Sequence, residues 1–178
     1  KEQYMLNKNI DKNNEGLVSK NYFVQVMDFP MRKFILERGV NAKNYFEYVH
    51  EVGCEIWGLL CSIKEALNEP IGVWLPEKFI IEGTSKYVQG VEVPIDYDGI
   101  LPEGLDIITL PQCKMMIFQG EPFDDENYDI AVDNISKAIA KYNPTLYGYK
   151  WAVDEGLSFQ MDPQGYRGYI EGHSVIEL

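Results

Sequence analysis

The sequence predicts an α+β domain, a duplicated β-α-β-β unit whose strands join into one antiparallel sheet, with two helices on one face and a ligand groove on the other. Three observations carry this. FILERG (Phe34 to Gly39) precedes one long helical pattern, and MIFQG (Met116 to Gly120) precedes another. YVQGVEVP, starting at Tyr87, is echoed by YRGYIEGHSV, starting at Tyr166, so that Glu92 falls opposite Glu171 at a shared offset of 166 − 87 = 79. A strand, a helix and a strand recurring in one order at one period mark an internal repeat.

Lys1 to Lys20, with the polar run NKNIDKNNEG, reads as a linker or arm, and 21–178 as a single domain. Tyr22 to Met27 is β-rich, Pro30 interrupts, and Met31 to Arg38 alternates as a half-buried strand does. Repeat one spans about 31–94 and repeat two about 112–177. From Asn44 to Leu67, apolar residues recur at three and four, predicting one helix that Asn41 or Asn44 caps and Pro70 stops. Gly53 and Gly58 weaken that helix and hint at close packing.

Ile71 to Leu75 and Ser85 to Pro94 follow as strands. The segment from Ile95 to Pro111, with Gly99, Pro102 and Gly104, reads as the turn-rich passage between repeats. Lys114 to Gln119 is a strand, and a helix entered through Asp124 and Asp125 presents Tyr128, Val132, Ile135, Ile139 and Tyr142 on one face. Strands at about Leu157 to Met161 and Tyr166 to Val175 end the chain.

With 178 residues and 46% hydrophobic composition the chain can bury a sizeable core. Its net charge of −12 argues against nucleic-acid binding by this chain alone, since phosphate contacts need clustered Lys and Arg. Cys54, Cys61 and Cys113 have neither disulfide nor zinc spacing, which suits a reducing, cytoplasmic setting. His50 and His173 lack an i, i+4 partner, so no metal is expected and both read as structural or surface groups. No apolar run reaches the roughly 18 to 20 residues of a membrane span, and no phosphate-binding loop or hydrolase motif occurs, so no cofactor is expected.

Alternation in the last strand sets Arg167, Tyr169, Glu171 and His173 against Tyr166, Gly168, Ile170 and Gly172. The 79-residue offset places Glu92 and Glu171 at equivalent positions facing the groove. A carboxylate beside Tyr169, Trp74 or Trp151 can hold a cation or act as a general base. Glu171 is therefore the principal candidate and Glu92 the second. The sequence places no histidine beside Glu171 and assigns no catalytic residue.

MRKFILERG, the EIWGLL helix, SKYVQGVEVP, DIITLPQCKMMIFQG and FQMDPQGYRGYIEG together resemble the GyrI-like small-molecule-binding domain, over about Tyr22 to Val175. That domain occurs as the effector-binding part of AraC-type bacterial transcription regulators and as stand-alone proteins. The resemblance implies a groove for lipophilic or cationic small molecules, with the glutamate role on Glu171 and Tyr169, Trp57, Trp74 and Tyr87 as lining. It also implies that a DNA-binding domain, where the full-length protein has one, lies outside this chain. Some members are hydrolases of electrophilic small molecules, so the alternative expectation is a stand-alone hydrolase that uses the groove glutamate.

Overall fold

The computed structural model describes residues 17–152 and 154–178; most of the polar arm lies outside them. Among the described residues, nine strands form one sheet in the order β1-β6-β9-β8-β3-β4-β2-β5, with β7 also paired to β9. They are β1 (Tyr22–Phe29), β2 (Arg32–Glu37), β3 (Ile71–Trp74), β4 (Tyr87–Val93), β5 (Asp106–Leu110), β6 (Cys113–Gly120), β7 (Tyr149–Trp151), β8 (Ser158–Gln160) and β9 (Ile170–Glu177). Every pairing is antiparallel. The α+β class and the joined antiparallel sheet are as expected. Strands β5 and β7 are additional, the first of them inside the stretch read as turns.

The order is symmetric about the β8–β3 pair, with β9 and β6 on one side and β4 and β2 on the other. The register corrects the repeat offset. Leu36 lies opposite Gly90 in one half, and Ile117 lies opposite Gly172 in the other. The offset in these strands is thus 172 − 90 = 82, and it aligns Tyr87-Val88-Gln89-Gly90 with Tyr169-Ile170-Glu171-Gly172. Tyr166, expected to match Tyr87, precedes the strand, in a turn where Gly168 takes a φ of 79°. Glu171 therefore corresponds to Gln89, and Glu92 to Ser174.

The sheet curls strongly. One face carries Phe34, Leu36, Val73, Val88, Met115, Ile117 and Phe159, all buried within the main core. The Phe29 ring on β1 sits 6.5 Å from Phe159 on β8, although β6 and β9 lie between those strands in the sheet. Only residues 30–31 separate β1 from β2, and only 111–112 separate β5 from β6, so strands from the two ends of the order are tied together. This concave face is filled by its own side chains.

The helices take the convex face. Tyr48 of α1 (Tyr45–Val52) packs edge-on against Tyr87 at 5.7 Å and donates its hydroxyl to the Glu37 carbonyl. Ile135 of α3 (Tyr128–Lys141) lies over Gly120 and joins Ile130, Ala131, Phe118 and Tyr169 in a second core cluster. Val18 is buried in the same cluster, so the arm is docked at its C-terminal end.

The first helical stretch is not one helix. Asn44 caps α1, accepting from the Glu47 N–H, but α1 stops at Gly53, and α2 (Glu55–Cys61) starts anew. Gly53 adopts a φ of 93°, a conformation that side-chain-bearing residues avoid. Gly58 instead lies within α2 with nothing near its missing Cβ. The close packing expected at Gly58 is absent there. Gly58→Ala is accordingly expected to stabilise the fold by about 0.5–1 kcal/mol, while Gly53→Ala destabilises it, because only the second forces a strained backbone. Urea denaturation of the two variants checks the opposite signs.

Candidate functional site

The helices rest mainly on β4 and β6. Between them runs a strip of β3, β8 and β9 whose convex-face residues are set by the ladder. Tyr87 lies opposite Trp74, Trp74 opposite Ser158, Ser158 opposite His173, Gln160 opposite Glu171, and Glu171 opposite Phe118. Opposed residues share a face. This strip lies on the helix side of the sheet, whereas the reverse side is lined by the buried side chains of the main core.

A hydrogen-bonded chain crosses this strip. Ser158 Oγ is 2.8 Å from His173 Nδ1, and His173 Nε2 is 2.8 Å from Glu171 Oε2. The other oxygen, Oε1, accepts from the Tyr169 hydroxyl at 2.7 Å. Gln160 joins the two halves: its Nε2 donates to the Tyr169 oxygen at 3.1 Å, and its Oε1 accepts from the Tyr87 hydroxyl at 2.8 Å. The two tyrosines bridged in this way are the two that the 82-residue offset makes equivalent.

Aromatic rings wall the chain. Trp74 meets Tyr87 edge-on at 5.4 Å, and Trp151, opposite Val175 on the same face, meets His173 at 5.8 Å and Phe118 at 6.3 Å. Glu171, Tyr169 and Tyr87 are buried, whereas His173, Ser158, Trp74 and Trp151 are half-buried. Burial first, and then the charge and hydrogen bond of Glu171, push the Tyr169 phenol well above its ordinary value. Tyr87 is likewise raised, by burial and then by Tyr45, Tyr48 and Glu171. Both hydroxyls therefore stay protonated through the physiological range.

Of the seven candidate residues, Glu171, Tyr169, Tyr87, Trp74 and Trp151 meet on this strip. Trp57 is half-buried on α2, outside the strands that carry the chain of hydrogen bonds. Glu92 does not meet them, since it points to the concave face opposite Phe34. There it pairs with Arg32, which also donates to the Pro111 carbonyl at 2.9 Å and stacks over Phe29 at 5.2 Å. Its charge is consumed in the core. His173, read as structural, and Ser158, not singled out, belong to the chain; the Tyr-x-Glu-Gly match to Tyr-x-Gln-Gly was the signal that locates their neighbours.

Two open cavities lie elsewhere. One of about 490 Å³ runs along α3 past Lys20, Tyr22 and Tyr147, and one of about 420 Å³ lies by Asn41, Glu47 and His50. Neither touches the Glu171 network, whose chemistry, and not its volume, marks the strip. No helix among the described residues is long and apolar enough to cross a membrane.

No family profile and no curated protein matches the sequence. Solved structures do match. SAV2435 bound to tetraphenylphosphonium superposes with a TM-score of 0.53 at 16% identity, over 86% of this chain and 92% of that one. A structure named for bacterial transcription regulation, from Staphylococcus aureus MU50, gives 0.51 at 15% identity, over 88% and 99%. EcmrR in complex with DNA gives 0.50 at 7% identity, over 94% of this chain but 62% of EcmrR. At such identities the likeness is one of fold: the curled sheet with its two symmetric halves and flanking helices is shared with these structures, and it is the fold that the resemblance to the GyrI-like domain implies.

Proposed function

We propose that this domain binds lipophilic organic cations on the strip between its helices, as the sensing part of a transcription regulator whose DNA-binding segment is not in this sequence. The observation that carries the reading is the contrast between the two buried glutamates. Glu92 has a guanidinium beside it, whereas Glu171 is held by a phenol and an imidazole, neither of which is a fixed positive charge. A buried carboxylate costs desolvation energy unless a cation faces it. Aromatic walls of Trp74, Tyr87 and Trp151 then suit an organic cation better than a hydrated metal ion. The chain's charge of −12 steers cations toward it and keeps it off duplex DNA. That SAV2435 was solved with tetraphenylphosphonium supports the same ligand class.

The test uses two ions of one shape and opposite sign. Tetraphenylphosphonium is expected to bind, and to quench tryptophan fluorescence, at least about tenfold more tightly than tetraphenylborate. Glu171→Gln, which keeps the shape and removes the charge, is expected to weaken phosphonium binding by about tenfold or more, or about 1.4 kcal/mol. Equal binding of the two ions, or a variant as tight as the parent, sinks the electrostatic reading.

A further inference from the structure

We infer that the same strip carries a serine nucleophile: Ser158, with His173 as its base and Glu171 holding the imidazole, accepts acyl groups from small carboxylic esters. The inference rests on the strip's being the place where a small molecule binds. The three groups are positioned by the ladder itself, because Ser158 and His173 are directly opposed on β8 and β9, and Glu171 follows two residues before His173 on the same face. Serine to imidazole and imidazole to carboxylate are both 2.8 Å.

Glu171 only accepts, so the imidazole hydrogen sits on Nε2, and Nδ1 presents a lone pair to the serine hydroxyl. That is the proton arrangement acyl transfer needs: one nitrogen free to take the hydroxyl proton, the other anchored to a carboxylate. Tyr169 fixes the second carboxylate oxygen at 2.7 Å, so Glu171 is doubly held. Ser158 is half-buried and reachable, while the carboxylate behind it is buried. Gln160, two residues along on the same face, gives one amide hydrogen to Tyr169.

In the reaction, Ser158 Oγ attacks the ester carbonyl carbon as its proton passes to His173 Nδ1. The tetrahedral adduct collapses, the bond to the alcohol oxygen breaks, and the imidazolium returns the proton to that oxygen. Water, deprotonated by the same nitrogen, then releases the carboxylic acid and regenerates the serine. Glu171 orients the imidazole throughout as a positioning residue.

The experiment treats the chain with a fluorophosphonate and locates the adduct by peptide mass spectrometry, alongside p-nitrophenyl butyrate hydrolysis. The expected result is labelling on Ser158, protection by tetraphenylphosphonium, and at least a hundredfold loss of ester turnover in Ser158→Ala. Glu171→Gln is expected to slow labelling at least tenfold and to shift its pH profile, which a merely structural change would not do. Tetraphenylphosphonium binding without any label on Ser158, or turnover that persists in Ser158→Ala, overturns the inference and leaves the cation site standing. Labelling without phosphonium binding upholds the nucleophile and removes the cation reading instead. The label on the parent is decisive even where a variant folds poorly.

Discussion

Arg32→Met should destabilise the domain by about 3–5 kcal/mol, the largest loss expected from any single change outside the strip. The guanidinium and the Glu92 carboxylate are both almost wholly shielded, with side-chain exposures of 4% and 8%. Methionine fills a similar volume but leaves the carboxylate on the concave face with no cation, and leaves the Pro111 carbonyl without its donor. The unpaired charge, and not the lost attraction, dominates the cost. Arg32→Met combined with Glu92→Leu is therefore expected to recover much of the loss, because removing both charges also removes their desolvation penalty. Urea denaturation of the parent, both single variants and the double variant measures the coupling. A single variant within about 1 kcal/mol of the parent would show that this pair is dispensable.

Gly172→Ala ranks next, at about 1–3 kcal/mol or somewhat more, from overpacking. A Cβ at this position would overlap the Phe159 ring directly opposite on β8. Phe159 cannot step aside cheaply, since Phe29 packs against it in the main core. The symmetric position behaves alike: a Cβ on Gly90 would strike the Phe34 ring and the Ile35 carbonyl. Each half thus uses its glycine to let an aromatic ring cross the strand on the concave side, in register with the Tyr-x-Gln or Tyr-x-Glu on the convex side. For a domain of this size each kcal/mol lowers the melting temperature by ~2–4 °C, so thermal unfolding reads the effect. Trimming the ring as well, with Phe159→Leu, is expected to relieve part of it.

The elements with strong periodicity were legible in the sequence. β2, β4, β6, α3 and the Asn44 cap all stand close to where alternation, helical spacing and capping chemistry put them. What the residues did not disclose was register and face. GYRGY offers two tyrosines three apart, Tyr166 and Tyr169, and matching the wrong one to Tyr87 turned Gln89 and Glu92 around the strand. The choice could not be made from side-chain type, because Glu92 on the core side is as buried as Glu171 on the strip side. The break in the first helix was hidden because Val52, Ile56 and Leu60 keep helical spacing straight across Gly53. β5 was hidden because DIITL is mostly half-buried and sits among Pro and Gly. The Ser158 and His173 contact is legible only across strands, as the ladder brings together residues that no motif spacing joins.

The order of the strands also sets a schedule for synthesis. Among the described strands β1 is made first, yet its hydrogen-bonding partner is β6, whose Gly120 lies opposite Tyr22, and β6 in turn waits for β9. While β2, β3, β4 and β5 can find one another as soon as they emerge, YFVQVMDF must wait with both backbone edges open until β6, ending at Gly120, has left the ribosome. Even in the finished fold it borders the sheet, with Phe23 and Met27 exposed. A nascent or truncated chain ending before β6 is thus a strand-donating species prone to associate with its like.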